Sequence, residues 1–141
     1  MKSLSFETHI KYKRKKPSEL PKFGAPSEIV AFLKPYFREN MQYSEVMFAL
    51  FLDQANQPIC VTKLGEGTLS ACLVNTAKLY QTAILSNCKS VVIAHNHPSG
   101  NLKASDADIN LTRKISDSLE LLDLKLLDSL IVTDKGFEQI I

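Results

Sequence analysis

No stretch of this chain approaches the roughly 20 consecutive apolar residues that a membrane-spanning helix needs, so no helical membrane span is expected. The opening Met1-Lys2-Ser3-Leu4-Ser5-Phe6-Glu7 has no apolar core, which argues against a secretory signal. Cysteine is scarce: Cys60, Cys72 and Cys88 are odd in number, widely spaced and contain no C-x-x-C pair. Neither a disulfide framework nor a thiolate zinc site is indicated, and a reduced, cytoplasmic setting fits best. Internal repeats and low-complexity segments are also missing. So are the H-E-x-x-H of zincin proteases and the H-x-E with a later P-C-x-x-C of zinc deaminases. What is there is a 141-residue chain, 45% hydrophobic and 23% charged, in the proportions of one soluble globular domain with a substantial core.

The net charge of +2 is unevenly placed. Residues 1–25 carry seven Lys/Arg against two acids, and the remainder carries ten against thirteen, so an arm of +5 precedes a body of −3. Lys11-Tyr12-Lys13-Arg14-Lys15-Lys16, followed by Pro17, Pro21, Gly24 and Pro26, reads as an extended or mobile leader over residues 1–26, ahead of a domain over 27–141. Such a run could touch nucleic acid through phosphates, and it could equally be a solvated tail. Residues 6–13 partly alternate and could add an edge strand.

Ser27 and Glu28 open a helix that carries Ile29, Phe32, Leu33, Tyr36 and Phe37 on one face, with Pro35 expected to kink or break it. Residues 45–52 are apolar on both alternations after the first position, the pattern of a central strand covered on both sides. A turn at residues 53–58 and a return over 59–64 make a hairpin, and Gly65-Glu66-Gly67 reads as a second turn before residues 68–74. Asn75 or Thr76 can cap a helix running to about Ser86, with Ala77, Tyr80, Ala83 and Ile84 inward. Strands follow at residues 90–95, 124–132 and 137–141, with a helix over 106–121. Strands interleaved with helices give a single α/β layered domain whose ligands gather at strand ends.

One stretch carries chemistry: Ala94-His95-Asn96-His97-Pro98-Ser99-Gly100, then Ser105-Asp106-Ala107-Asp108. On a strand, His95 and His97 leave the same face. Pro98 stops ladder pairing and Gly100 permits a sharp turn. Ser-x-x-Asp ahead of Ile109, Thr112, Ile115 and Leu119 reads as an N-capped helix start. Two imidazoles at a strand end and a carboxylate in the next helix's first turn can converge, and two His with one carboxylate suit a catalytic zinc. For each pair taken alone, a solvated turn and a carboxylate at the positive helix end is the simpler alternative. Asp106 is a rival ligand, but two positions from Asp108 it points elsewhere around a helix.

H-x-H, seven residues, then S-x-x-D resembles the JAMM signature of the JAB/MPN metalloproteases, and the wording H-N-H-P-S-G is most similar to their RadC branch. The likeness runs from about Ser27 to Ile141. It implies a mixed β-sheet between helices in three layers, similar to cytidine deaminases. It further implies zinc on His95, His97 and Asp108, with Ser105 assisting the tetrahedral intermediate. Glu45, which opens Ser44-Glu45-Val46-Met47-Phe48, resembles the family's general base; the residue alone could be a solvated acid at a strand start. The activity implied is hydrolysis of a peptide or isopeptide amide by metal-activated water. The alternative is a nucleic-acid-associated accessory protein of the RadC, DNA-repair kind with a weak or silent site. No membrane partner is implied, and oligomeric state is left open. The pattern departs from the family's V-H-P-R-E at Val74-Asn75-Thr76-Ala77-Lys78, and from L-D-H at Leu127-Asp128-Ser129. The helical domain preceding this module in longer RadC proteins is not expected in a 26-residue leader. Nor is this an HNH nuclease, whose three residues are dispersed over a hairpin and a helix rather than adjacent.

Overall fold

The computed structural model describes residues 13–67 and 74–141. Five strands, β1 (Glu45–Leu52), β2 (Pro58–Gly67), β3 (Ser90–Asn96), β4 (Lys125–Val132) and β5 (Phe137–Gln139), form one sheet in the order β2-β1-β3-β4-β5. Among the described residues three α-helices, α1 (Pro26–Leu33), α2 (Thr76–Leu85) and α3 (Asp106–Leu121), cover it. β1 runs antiparallel to β2 and β3, β3 and β4 are parallel across the α3 connection, and β5 returns antiparallel to β4. The result is the mixed, helix-covered α/β sheet that the alternation of strands and helices implies.

The two-residue period of the central strands divides their side chains between two cores. Val46, Phe48, Leu50 and Leu52 of β1 and Val92 and Ala94 of β3 pack with Ile29, Val30, Leu33 and Phe37 of the α1 side. Met47, Ala49, Phe51, Val91 and Ile93 face the other way, against Leu79 and Ala83 of α2 and Ile115 and Leu119 of α3. From Val46 to Leu52 every residue of β1 is buried, as a strand covered on both faces requires.

The break expected at Pro35 is present: α1 ends at Leu33, and the chain continues as a 3₁₀ turn over Lys34–Phe37 whose Phe37 reaches the core. Three local expectations are corrected. Tyr36, placed inward by periodicity, is 45% exposed because that tighter turn rotates it off the apolar stripe. Gly65-Glu66-Gly67 is no turn: β2 continues to Gly67 through a register shift, with Met47 opposite Gly65 and Phe48 opposite Lys63. The intervening Leu64 is buried, and its carbonyl accepts the Asn75 N–H at 2.8 Å. On α2, Leu79 and Ala83, four apart, make the buried stripe, and Ile84, the next residue round, is 56% exposed.

The segment from Lys13 to the start of α1 lies against the β1–β2 hairpin. Arg14 Nη2 donates to Asp53 Oδ2 at 3.0 Å and to the Pro58 carbonyl at 3.1 Å. Gln57 Nε2 donates to the Pro17 carbonyl at 2.8 Å, and Phe23 is buried in the α1-side core. Apart from Lys13, the edge strand expected over residues 6–13 lies outside the described residues, as does Cys72. Among the described residues no helix is long and apolar enough to cross a membrane.

Candidate metal centre

β3 delivers the two imidazoles. Its odd-numbered residues face α2 and α3, so His95 follows Val91 and Ile93 onto that face. His97 lies just past the strand end, where its N–H still reaches the Val132 carbonyl at 3.3 Å. Pro98 ends the run, and Gly100, at φ +83°, turns the chain with its N–H on the His97 carbonyl at 3.0 Å. α3 then starts at Ser105 with a capping box. Ser105 Oγ accepts the Asp108 N–H at 3.1 Å, and Asp108 Oδ2 accepts the Ser105 N–H at 2.9 Å. The cap aims the Asp108 carboxylate back at β3.

His95 Nε2 and His97 Nε2 stand 3.1 Å apart; His95 Nε2 is 3.3 Å from Asp108 Oδ1, and His97 Nε2 is 3.2 Å from Asp108 Oδ2. Zinc bound tetrahedrally at about 2.0–2.2 Å holds its ligand atoms about 3.3–3.6 Å from each other, and the three residues offer one ligand atom each within 4.8 Å of one another, close enough to gather around one ion. The chemistry of the donors points the same way. The Asn101 carbonyl can only accept, so His97 Nδ1, 2.6 Å away, is the donor there. In a neutral ring that leaves the Nε2 lone pair facing a carboxylate oxygen and another imidazole nitrogen. A proton on His95 Nε2 or a metal ion between them relieves that repulsion, and two imidazole nitrogens with a carboxylate fit a divalent metal. His95 Nδ1 is buried with no hydrogen-bond partner among the described residues.

Asp108 is built to stay ionised. Burial raises its pKa, but hydrogen bonds from His95 and the Ser105 N–H, with the charge on His95, outweigh that and hold it well below the usual carboxylate range. His95 and Asp108 are almost wholly enclosed, whereas the His97 side chain keeps 12% of its surface. The centre is therefore open on the His97 side. There lies a cleft of about 350 Å³, lined by Glu45, His97, Ser99, Asn101, Lys103, Ser105 and Asp108.

Glu45 reaches that cleft by strand register. Met47 pairs with His95, so two positions further along, past the last pair of the ladder, Glu45 comes level with His97, on the face shared with Met47 and Ala49. All five residues singled out in the sequence thus border one centre. Asp106 is exposed and outside the cluster of convergent ligands. Two contributors were not foreseen. The Asn101 carbonyl sets the His97 tautomer, a backbone role that leaves no residue signature. Asn96, between the two histidines, is buried on the opposite face; its signal was a lone amide ending an apolar strand.

A helix-covered mixed sheet with two histidines and an aspartate converging at the end of a parallel strand defines a domain of the JAB/MPN class. The sequence model described as the RadC-like JAB domain matches residues 23–139, and the chain belongs to that family. It is 38% identical over 101 residues to a UPF0758 protein of Xanthomonas euvesicatoria pv. vesicatoria, covering 70% of this chain and 45% of that one. A UPF0758 protein of Cellvibrio japonicus is 36% identical over 104 residues, 72% of this chain and 46% of the relative. One from Clostridium perfringens is 34% identical over 128 residues, 89% and 56% respectively. The chain spans about half the length of the curated relatives it matches.

Proposed function

We propose that the chain is a zinc-dependent amide hydrolase whose substrate is a peptide or isopeptide bond. The observation that carries the reading is the convergence of the two imidazole Nε2 atoms, 3.1 Å apart, on the two oxygens of Asp108, at 3.3 and 3.2 Å, beside a cleft that Glu45 also lines. His95, His97 and Asp108 would hold the metal. Zinc bound there supplies a Lewis acid and an acidified water.

The remaining work belongs to the chain. Glu45, which does not ligate, takes the proton of the attacking water and delivers it to the leaving amine. The Ser105 hydroxyl, which lines the cleft, turns its hydrogen from the Asp108 carboxylate to the oxyanion that develops as the carbonyl turns tetrahedral. The open His97 side admits the amide. Buried His95 and Asp108 keep bulk water from the rear of the site.

Metal analysis of untagged protein should give about one zinc per chain, falling sharply in His97→Ala. Glu45→Gln should retain the zinc and lower hydrolysis of a peptide library by about 10²–10⁴-fold, the usual contribution of a positioned general base. Unchanged turnover in Glu45→Gln would remove Glu45 from the mechanism, and protein without stoichiometric zinc would remove the mechanism itself.

A second reading has its own observation. A cleft of about 410 Å³ is lined by Lys13, Arg14 and Lys15 together with Phe32 and Tyr36, the mixture of cations and aromatic rings that grips single-stranded nucleic acid. On that reading the chain is a nucleic-acid-associated protein of the RadC kind.

A further inference from the structure

We propose that Asn96 is a positioning residue: its side chain holds the 44–46 segment so that Glu45 stands over the metal centre. The inference rests on the hydrolase reading and deepens it. Asn96 is fully buried and, one residue from each histidine, projects to the opposite face of the sheet. There its amide is fully engaged. Oδ1 accepts the Val46 N–H at 2.8 Å, and Nδ2 donates to the carbonyls of Asn40 and Ser44, both at 2.9 Å, and of Met41 at 3.2 Å. Partners of opposite kind on the two ends leave only one orientation for the amide.

The geometry assigns this contact a use beyond filling the core. The residues on either side of Glu45, Ser44 and Val46, are both tied to Asn96. The antiparallel ladder between β1 and β3 has its last pair at Met47 and His95, so on the β3 side the Asn96 side chain replaces backbone pairing where Glu45 needs it. The same turn is braced elsewhere. Asn40 Nδ2 donates to Ser44 Oγ and Glu66 Oε1, both at 2.9 Å, and Gln42 Nε2 donates to Asp134 Oδ2 at 2.9 Å. Three consecutive residues therefore set the β3 side of the centre. His95 and His97 would present nitrogen to a metal on one face, and Asn96 fixes the position of the acid from the other. No hydrophobic residue could do this: the carbonyls of Met41 and Ser44 and the Val46 N–H would lose their Asn96 partner, while the Asn40 carbonyl would keep only the Tyr43 and Ser44 N–H groups.

Asn96→Asp tests the proposal, since it keeps the shape and the acceptor for Val46 but replaces both donors with an oxygen facing three carbonyls. Zinc content should stay at one per chain and amide exchange in β4 should stay slow. Exchange of the 44–46 amides should accelerate at least about tenfold. The kcat should fall about 10²-fold with KM nearly unchanged, as a misplaced catalytic group produces. Unaltered exchange at 44–46, or wild-type kcat despite faster exchange there, would overturn the inference. So would loosening spread evenly over the sheet. Should Asn96→Asp not fold, the wild-type side chain decides: Asn96 Nδ2 protons should exchange far more slowly than those of exposed Asn101, and equal rates would overturn the inference. Wild-type protein that binds zinc but cleaves nothing would count against the hydrolase reading alone, because the exchange measurement needs no turnover.

Discussion

Asp108 serves two structures with one carboxylate. As the third helical residue it closes the capping box on Ser105, and with the same oxygens it faces both imidazoles. Ser105→Ala should therefore act twice. Loss of the cap should cost about 0.5–2 kcal/mol in denaturant unfolding, and loss of the hydroxyl should lower kcat with zinc retained. A second buried carboxylate behaves oppositely. Asp128 on β4 has its pKa raised by burial, although Gln139 Nε2 at 2.7 Å and the Ser129 N–H at 2.9 Å partly offset this. The folded state therefore binds this proton more tightly than the unfolded chain does. Its contribution to stability is complete below the unfolded pKa and disappears as pH rises through the folded one. Asp128→Asn, which keeps a neutral group there, should raise the melting temperature at pH 7 by roughly 2–4 °C, with the gain vanishing in acid. At this scale the ligand types were legible from the chain because they lie close together. Burial, which makes Asp128 and Asn96 matter, was not.

Between β3 and α3 the connection carries its information in backbone shape. At Gly100 a Cβ would meet nothing within 4 Å, so only the φ of +83° opposes a side chain. Gly100→Ala should cost about 1–2 kcal/mol of stability and weaken zinc binding, measured by competition with a chelator, because the turn that returns Asp108 to the histidines is strained. The β1–β2 hairpin depends instead on Asp53. Its Oδ1 accepts from Ala55 N and Gln57 N, both at 2.9 Å, and its Oδ2 takes Arg14. Elements with strong local signals were readable: the capped start of α3, the fully apolar β1 and the proline after β3. The outward turn of Tyr36 and the extension of β2 to Gly67 were not. The first follows from the tighter 3₁₀ turn after the break at Pro35, and in the second pairing with β1 outweighed the local glycines.

For the molecule as a whole, a metal bound only by the folded chain must stabilise it. Zinc at about 100 times its dissociation constant should add about 2.7 kcal/mol, seen as a rise in melting temperature that chelation reverses and His97→Ala abolishes. The basic segment gives a separate expectation. Arg14 is tied to Asp53, so reversing Lys13, Lys15 and Lys16 to Glu removes charge while leaving that anchor in place. If the nucleic-acid reading holds, the triple substitution should flatten the salt dependence of single-stranded DNA binding by about two to three units of slope. The sequence by itself brought together the candidate ligands His95, His97 and Asp108, with Ser105 beside them, because all four lie within one strand-turn-helix unit whose local rules suffice to gather them. Only the tertiary structure decided that Glu45 belongs with them and that Asn96 holds it there. Both depend on the register of β1 against β3, strands whose facing residues are 38 to 48 positions apart, and that register follows from burying two faces of a sheet at once rather than from any pattern within either strand.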